Sequence, residues 1–312
     1  MRAVRKRLAR QMMGAGVGLL IDRAFGEPPS NVHPVALFGN VMTKAEMFLW
    51  RCNRASGVSY GVLGLAIAAA ASGFVSSPFM GTAIGTYLAV AERSLLENAV
   101  CIEVGLMRGD LASVRRQLPS LVGRDPERLD ENGAARAVIE SVAENSSDAV
   151  IAPMFYGALL GGRGAINYRA VNTMDAMVGY KNVQYRDFGW FNARLDDFAN
   201  YLPSRLAGLL AWSVPTGRRP KFGSILTDAA SHPSPNAGVI EATYAHKLGI
   251  RLGGENSYEG TLEMRPELGY GPGAVPSDIA DAIALCRKCD TLFAAMLIAG
   301  GVVLTIWPRG SR

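Results

Sequence analysis

Thirty-seven consecutive residues, Ala55 to Ala91, carry no charge. One straight helix of that length, at ~1.5 Å per residue, would far exceed a bilayer core of roughly 30 Å. The run must therefore turn, and Ser76, Ser77 and Pro78 provide the place. This predicts a helical hairpin with spans over 58–75 and 79–98, the second arm continuing through Glu92 towards Cys101. Gly61, Gly64, Ala68, Gly81 and Gly85 line the arms with small residues, as membrane helices need for close approach. Arg51 and Arg54 before the run, and Arg93 and Arg108 after it, put both ends on the cytoplasmic side.

Composition agrees, with 19% charged and 49% apolar residues against roughly 25% charged in an average soluble domain. A third span is expected over 291–307. The apolar segments 11–21, 149–162 and 201–217 are too short for a crossing of ~20 residues and read as re-entrant, interfacial or buried helices. Arg2, Arg5, Lys6, Arg7 and Arg10 precede the first of them. This opening imitates a secretion signal, but Asp22 and Arg23 end its short apolar run and no cleavage is expected. A basic arm beside an apolar run marks a cytoplasmic membrane face, and no aromatic-basic interleaving supports nucleic-acid binding. Cys286 and Cys289 form a CxxC pair without further ligands, and they read as ordinary helix residues. The expectation is an all-α, polytopic integral membrane protein: one membrane-embedded domain over 1–312, with a helical hairpin, short re-entrant or interfacial helices and cytoplasmic helical loops.

Polar clusters fall in segments 136–148, 167–200 and 229–256. At helical spacing Glu140, Glu144 and Asp148 share one face at i, i+4 and i+8, with Asn145 beside them. Stacked carboxylates need a positive partner; this is either a solvated face paired to Arg136 or a cation site, for which Mg²⁺ suits hard oxygen ligands. Asp175, among Met174, Ala176 and Met177, is either in an ion pair with Lys181 or Arg169 or a site residue. Asn172 and Tyr180 flank it. Asn192, Asp196 and Asn200 form the polar face of an amphipathic helix whose apolar stripe is Phe191, Leu195, Phe198 and Leu202; Arg194 and Asp197 read as a surface pair or as site residues. His232, with Ser234 and Asn236, lies in a proline-bounded turn that is either structural or holds an anion, and His33 lies in another such turn. No phosphate-loop, dinucleotide, nucleophile-elbow or HExxH motif is present.

The strings DRAFGEPPSNVHPVALFG, VGRDPERLD, AVIESVAENSSDAVIAPMFYGALLGG, NTMDAMVGYKN, ARLDDFANYLPSRL and HPSPNAG, in this order from about Asp22 to Gly269, resemble the CobD/CbiB family of adenosylcobinamide-phosphate synthases. The resemblance implies a multi-pass protein of the cell (inner or plasma) membrane with a cytoplasmic active face. It also implies an amide-forming ligase that joins adenosylcobyric acid to (R)-1-amino-2-propanol phosphate, or a related amino-alcohol phosphate, with ATP and Mg²⁺. Its partners would be the corrinoid, the amino-alcohol phosphate, the bilayer and other late enzymes of the pathway. For such chemistry the clusters assign Glu140, Glu144, Asp148 and Asp175 to metal, Arg194 and Lys181 to phosphate, and Asp196 or His232 to proton removal. Asn145, Asn172, Tyr180, Asn200, Ser234, Asn236 and His33 would contact substrate. The rival expectations are a non-catalytic AmpE-like membrane sensor or regulator, and a corrinoid-binding scaffold for other enzymes.

Overall fold

The computed structural model describes residues 2–307 except 124, 181, 217 and 259–260. About 75% of the described residues are helical, as an all-α reading requires. In chain order the helices are α1 (Arg2–Phe25), α2 (Pro34–Leu49), α3 (Arg54–Ala71), α4 (Met80–Ala89), α5 (Glu92–Met107), α6 (Leu111–Gln117), α7 (Glu131–Asn145), α8 (Ala152–Leu160), α9 (Gly162–Val178), α10 (Trp190–Ser213), α11 (Phe222–Ser231), α12 (Ala237–Leu248) and α13 (Asp278–Ile306). A π-helical segment, Ser146–Ile151, joins α7 to α8. A two-stranded hairpin, β1 (Leu252–Tyr258) and β2 (Thr261–Leu268), lies between α12 and α13.

The chain divides into two compact units, one of residues 1–92, 148–200 and 293–312, the other of 93–147 and 201–292. In the first, α1 packs on α4 and α8, and α4 and α3 pack on α9. Small residues make this possible. A Cβ on Gly85 would lie 2.6 Å from the Cα of Gly162, and one on Gly162 would run into the carbonyl of Gly81. Met42, Tyr60, Met174, Val178 and Phe188 form an apolar core between α2, α3 and α9.

The hairpin turns between Val75 and Met80, at the serines and proline that the sequence marks. Its second arm differs from expectation: it is two helices, not one. Val90 takes an extended conformation (φ −81°, ψ 148°), and the next amide, on Ala91, leaves the helix to donate to Ala149 O at 3.1 Å. Among the described residues two helices are long and apolar enough to cross a membrane, Arg54–Val75 and Asp278–Ile306. The last begins well before the expected 291–307 and is 29 residues long.

Helix α10 has the predicted two faces in the opposite sense to that of a soluble protein. Asn192, Asp196 and Asn200 are buried, whereas Phe198 and Leu202 are 80% and 60% exposed. The exposed side also carries Arg194 and Asp197, so it is mixed rather than wholly apolar.

The second unit holds the strands, which the helical reading missed. β1 and β2 pair antiparallel, with a bulge between Leu252 and Gly254. Gly253 and Gly254 take φ of +81° and +83°, a region that side chains with a Cβ avoid and that ends any helix. Lys247 is buried and donates its Nζ to Trp212 O at 3.0 Å and Val214 O at 2.6 Å. The ammonium thereby satisfies carbonyls at the C-terminal end of α10 that have no helical partner.

Candidate functional site

The first unit contains a continuous polar chain on α9 and α10. Asp196 accepts at both carboxylate oxygens, from Asn200 Nδ2 at 2.9 Å and from Asn172 Nδ2 at 3.4 Å. Asn200 Oδ1 accepts from the Tyr168 hydroxyl at 2.7 Å, which also lies 3.0 Å from the backbone oxygen of Asp148. At the other end Arg169 Nη1 donates to Asn172 Oδ1 at 3.1 Å. The i, i+4 spacing of Asp196 and Asn200 on one helix, and the placing of Tyr168 and Asn172 on the other, align the donors with the acceptors.

Burial keeps the Tyr168 phenol protonated well above its ordinary range, and the nearby carboxylates of Asp148 and Asp196 add to this. Tyr168 thus stays a hydrogen-bond donor at neutral pH. The chain opens onto a cavity of about 270 Å³, lined among others by Arg169, His33, Glu27 and Ser30. That is just below the roughly 300–1,000 Å³ of drug-sized sites, and suits a small charged group. His33 is the N-cap of α2, its Nδ1 accepting from Val35 N at 3.2 Å. Neighbouring Asn192 is 1% exposed, and neither atom of its amide has a hydrogen-bond partner among the described residues.

Sequence reasoning put Asn172, Asp196, Asn200, Asp148 and His33 among site residues, and the fold brings all five to this chain and its cavity. It gave Tyr168 no role, and Arg169 only one as a partner for Asp175. The remaining expected residues of this unit lie elsewhere. Arg194 is exposed and pairs with Asp197 Oδ2 at 3.3 Å, and Tyr180 is 56% exposed. Asp175 is half-buried at the end of α9, where a Cβ on Gly179 would meet its Oδ1. Lys181 lies outside the described residues.

The second unit has its own buried polar cluster. Glu140 is 3% exposed and accepts from Gly253 N at 2.7 Å. His232 Nε2 lies 3.7 Å from Glu241 Oε2, while its Nδ1 accepts from Ser234 N at 3.1 Å. Asn236 Oδ1 accepts from Ser204 Oγ at 3.3 Å and Arg205 Nη1 at 3.2 Å. Arg136 reaches Glu255 O and Asn256 Oδ1, so it braces the hairpin. Asn145 donates to Ser141 O at 2.9 Å, a local contact within α7.

The expected acidic stripe does not form. Glu140 is buried against Gly253, Glu144 is exposed, and Asp148 lies in the π-helical segment, whose wider winding breaks the i+8 register. Among the described residues no three His, Cys, Asp or Glu side chains gather to hold a metal. An all-protein cage is thus absent from the described residues, but Mg²⁺ needs only one or two carboxylates with substrate phosphate and water. Asp196, buried and accepting at both oxygens, and Asp148, whose backbone oxygen meets the same Tyr168 hydroxyl, have the donor chemistry for that smaller requirement.

The CobD/Cbib protein family model matches residues 15–286 of the chain. The chain belongs to the CobD/CbiB family. Family members named cobalamin biosynthesis protein CobD resemble it over most of its length. That of Mycobacterium tuberculosis is 39% identical over 307 residues, 94% of either chain. That of Rhodobacter capsulatus is 37% identical over 311 residues, 95% of this chain and 98% of the other. That of Geobacter metallireducens is 40% identical over 267 residues, 80% and 84% of the two. No solved structure matches the chain. The family match covers every residue of the Asp196 chain and of the His232 cluster, since all lie between 15 and 286.

Burial lowers the pKa of both His33 and His232 from the ordinary 6.5. The folded protein therefore resists protons that the unfolded chain accepts, and stability rises with pH in that window. Denaturation midpoints should fall as the pH drops below about 6.5 and level off below the folded-state values. His232→Gln should flatten part of this slope; a midpoint that rises on acidification through the same range contradicts the assignment.

Proposed function

We propose that this protein is the amide-forming ligase of late cobalamin biosynthesis, joining adenosylcobyric acid to (R)-1-amino-2-propanol phosphate or a related amino-alcohol phosphate to give adenosylcobinamide phosphate. The reading rests chiefly on the likeness to proteins named cobalamin biosynthesis protein CobD, at 39% identity over 94% of both chains. ATP enters as co-substrate and Mg²⁺ as its counter-ion. The chain is read as a multi-pass protein of the cell membrane whose two long apolar helices, Arg54–Val75 and Asp278–Ile306, cross the bilayer, with its active face towards the cytoplasm.

Amide formation needs an activated carboxylate and a neutral amine. When bound, Mg²⁺ would neutralise phosphate charge, and Asp148 and Asp196 are the residues that would hold it. Asn172 and Asn200 fix both oxygens of Asp196, so the carboxylate is oriented before any ligand arrives, which lowers the reorganisation cost of binding. Arg169 and His33 line the adjoining cavity, where the guanidinium can take an anionic substrate group in a forked hydrogen bond. The low pKa of His33 keeps its imidazole neutral at physiological pH. With Nδ1 accepting from Val35 N, the neutral ring carries its hydrogen on Nε2 and can donate it to an anionic substrate group.

ATP hydrolysis measured on purified protein tests the reading. The ligase consumes ATP only when corrinoid and amino-alcohol phosphate are both present, whereas corrinoid binding without ATP consumption marks a scaffold.

A further inference from the structure

Arg2, Arg5, Lys6, Arg7 and Arg10 occupy the first turns of α1. All but the half-buried Arg5 are exposed, and among the described residues none of the five makes an ion pair; α1 forms its ion pair at the far end, from Arg23 to Glu92. No acidic residue stands in the first turn. The arrangement is unfavourable on two counts. Cations near a helix N-terminus oppose the macrodipole, whose positive end is there. Arg2, Lys6 and Arg10 also follow one another at i, i+4 and i+8, so like charges stack on one face and repel. An external anion relieves both.

The packing of α1 on α13 fixes where this face lies. Within the first unit, a Cβ on Gly16 would lie 2.8 Å from Ala294 O, one on Gly300 2.8 Å from the Met12 methyl, and one on Gly301 2.6 Å from Ala9 O. Residue numbers fall on α1 as they rise on α13, so the two helices run antiparallel and the first turns of α1 lie beside the last turns of α13. There Val303, Ile306 and Trp307 are 43%, 71% and 63% exposed. An apolar helix end closed by a tryptophan is the pattern found at the headgroup level of a bilayer. The basic face thus sits beside the end of a helix long and apolar enough to cross a membrane, where lipid headgroups are the anions at hand.

We infer that the face formed by Arg2, Lys6 and Arg10, with Arg5 and Arg7 beside it, binds the headgroups of anionic phospholipids. Clusters of about four to eight cations next to a span are drawn to an anionic leaflet, and the attraction falls off within a Debye length. The face shares no residue with the polar clusters of either unit and lies before residue 15, where the family match begins. Its role is to hold this end of the first unit against a negatively charged leaflet, apart from the ligase chemistry.

Since the placement rests on the proposed reading of α13 as a span, the test keeps the two apart. The full chain in a non-ionic detergent is titrated with phosphatidylglycerol, and with phosphatidylcholine as the comparison, and bound lipid is counted by native mass spectrometry. Phosphatidylglycerol should bind at least about tenfold more tightly, and R2Q/K6Q/R10Q should remove most of that preference. R108Q/R116Q/R128Q, which removes the same charge from exposed positions of the second unit, should keep it. On the unmodified protein, raising ammonium acetate from about 0.05 to 0.5 M should erase the preference, a reading that depends on no variant. Equal binding of the two lipids, a preference indifferent to salt, or one that survives R2Q/K6Q/R10Q overturns the inference and leaves the spans standing. Capture of duplex DNA by these residues without any lipid preference overturns it in favour of a nucleic-acid surface. A chain that stays in solution once detergent is removed overturns the span, and the inference with it.

Discussion

Asp196→Asn should lower amide synthesis on the order of 10²-fold and raise the Mg²⁺ concentration needed for half-maximal rate, while the protein still folds. Asp196 sits 8% exposed on α10, so its charge is poorly screened and strongly felt by any ligand in contact with it. Both partners are donors: Asn200 and Asn172 each present a side-chain nitrogen to it. Asparagine offers one accepting oxygen where aspartate offers two, and one of these donors must lose its partner. That costs about 1–3 kcal/mol, less than the ~5–15 kcal/mol that holds a typical domain together. Loss of a fixed charge aimed at a developing or bound charge is worth roughly 10²–10³ in rate. Product formation and the melting temperature, measured on the same sample across a Mg²⁺ titration, separate the two effects. A variant that melts early yet turns over normally with an unchanged Mg²⁺ requirement would make Asp196 a structural residue.

The largest stability effect is expected at Gly162. Its backbone lies against α4 so closely that a Cβ on either Gly85 or Gly162 meets the other helix's main chain. A main chain cannot rotate out of the way as a side chain can, so Gly162→Val must push α4 and α9 apart and open gaps along their whole contact. Overpacking of ordinary side chains costs about 1–3 kcal/mol; a clash with backbone belongs in the range above roughly 4 kcal/mol that marks severe substitutions. Since α9 also carries Tyr168, Arg169 and Asn172, the same shift should disable the polar chain. Thermal denaturation of the variant in detergent should show a lowered midpoint together with lost activity. Gly223→Val serves as the control, because a Cβ there meets nothing within 4 Å and should leave the midpoint unchanged. If Gly162→Val melts with the unmodified protein, the close approach of α4 and α9 is wrong.

The sequence exposes some of this arrangement and hides the rest for identifiable reasons. Pro78 after two serines marks the hairpin turn because proline cannot continue a helix. The 3.6-residue period separates the two faces of α10, but period alone says nothing about which face turns inward. Phe198 and Leu202 are exposed here, and Asn192, Asp196 and Asn200 are buried. The Glu140, Glu144 and Asp148 spacing assumes a regular α-helix, and the π-helical segment at Ser146–Ile151 invalidates it just before Asp148. The β-hairpin escapes a sequence reading because the two glycines that shape it, Gly253 and Gly254, read as a loop when their φ angles are unknown. Tyr168 and Arg169 stand just ahead of the NTMDAMVGYKN string with no spacing that gives them a role, and only the hydrogen bonds between α9 and α10 show what Tyr168 and its neighbours touch.

The most direct test of the ligase reading is mass spectrometry of the products formed by detergent-solubilised protein given adenosylcobyric acid, aminopropanol phosphate, ATP and Mg²⁺. Adenosylcobinamide phosphate is expected from the complete mixture, and none when ATP or the amine is omitted. A folded sample that binds the corrinoid but yields no amide with any amino-alcohol phosphate would contradict it.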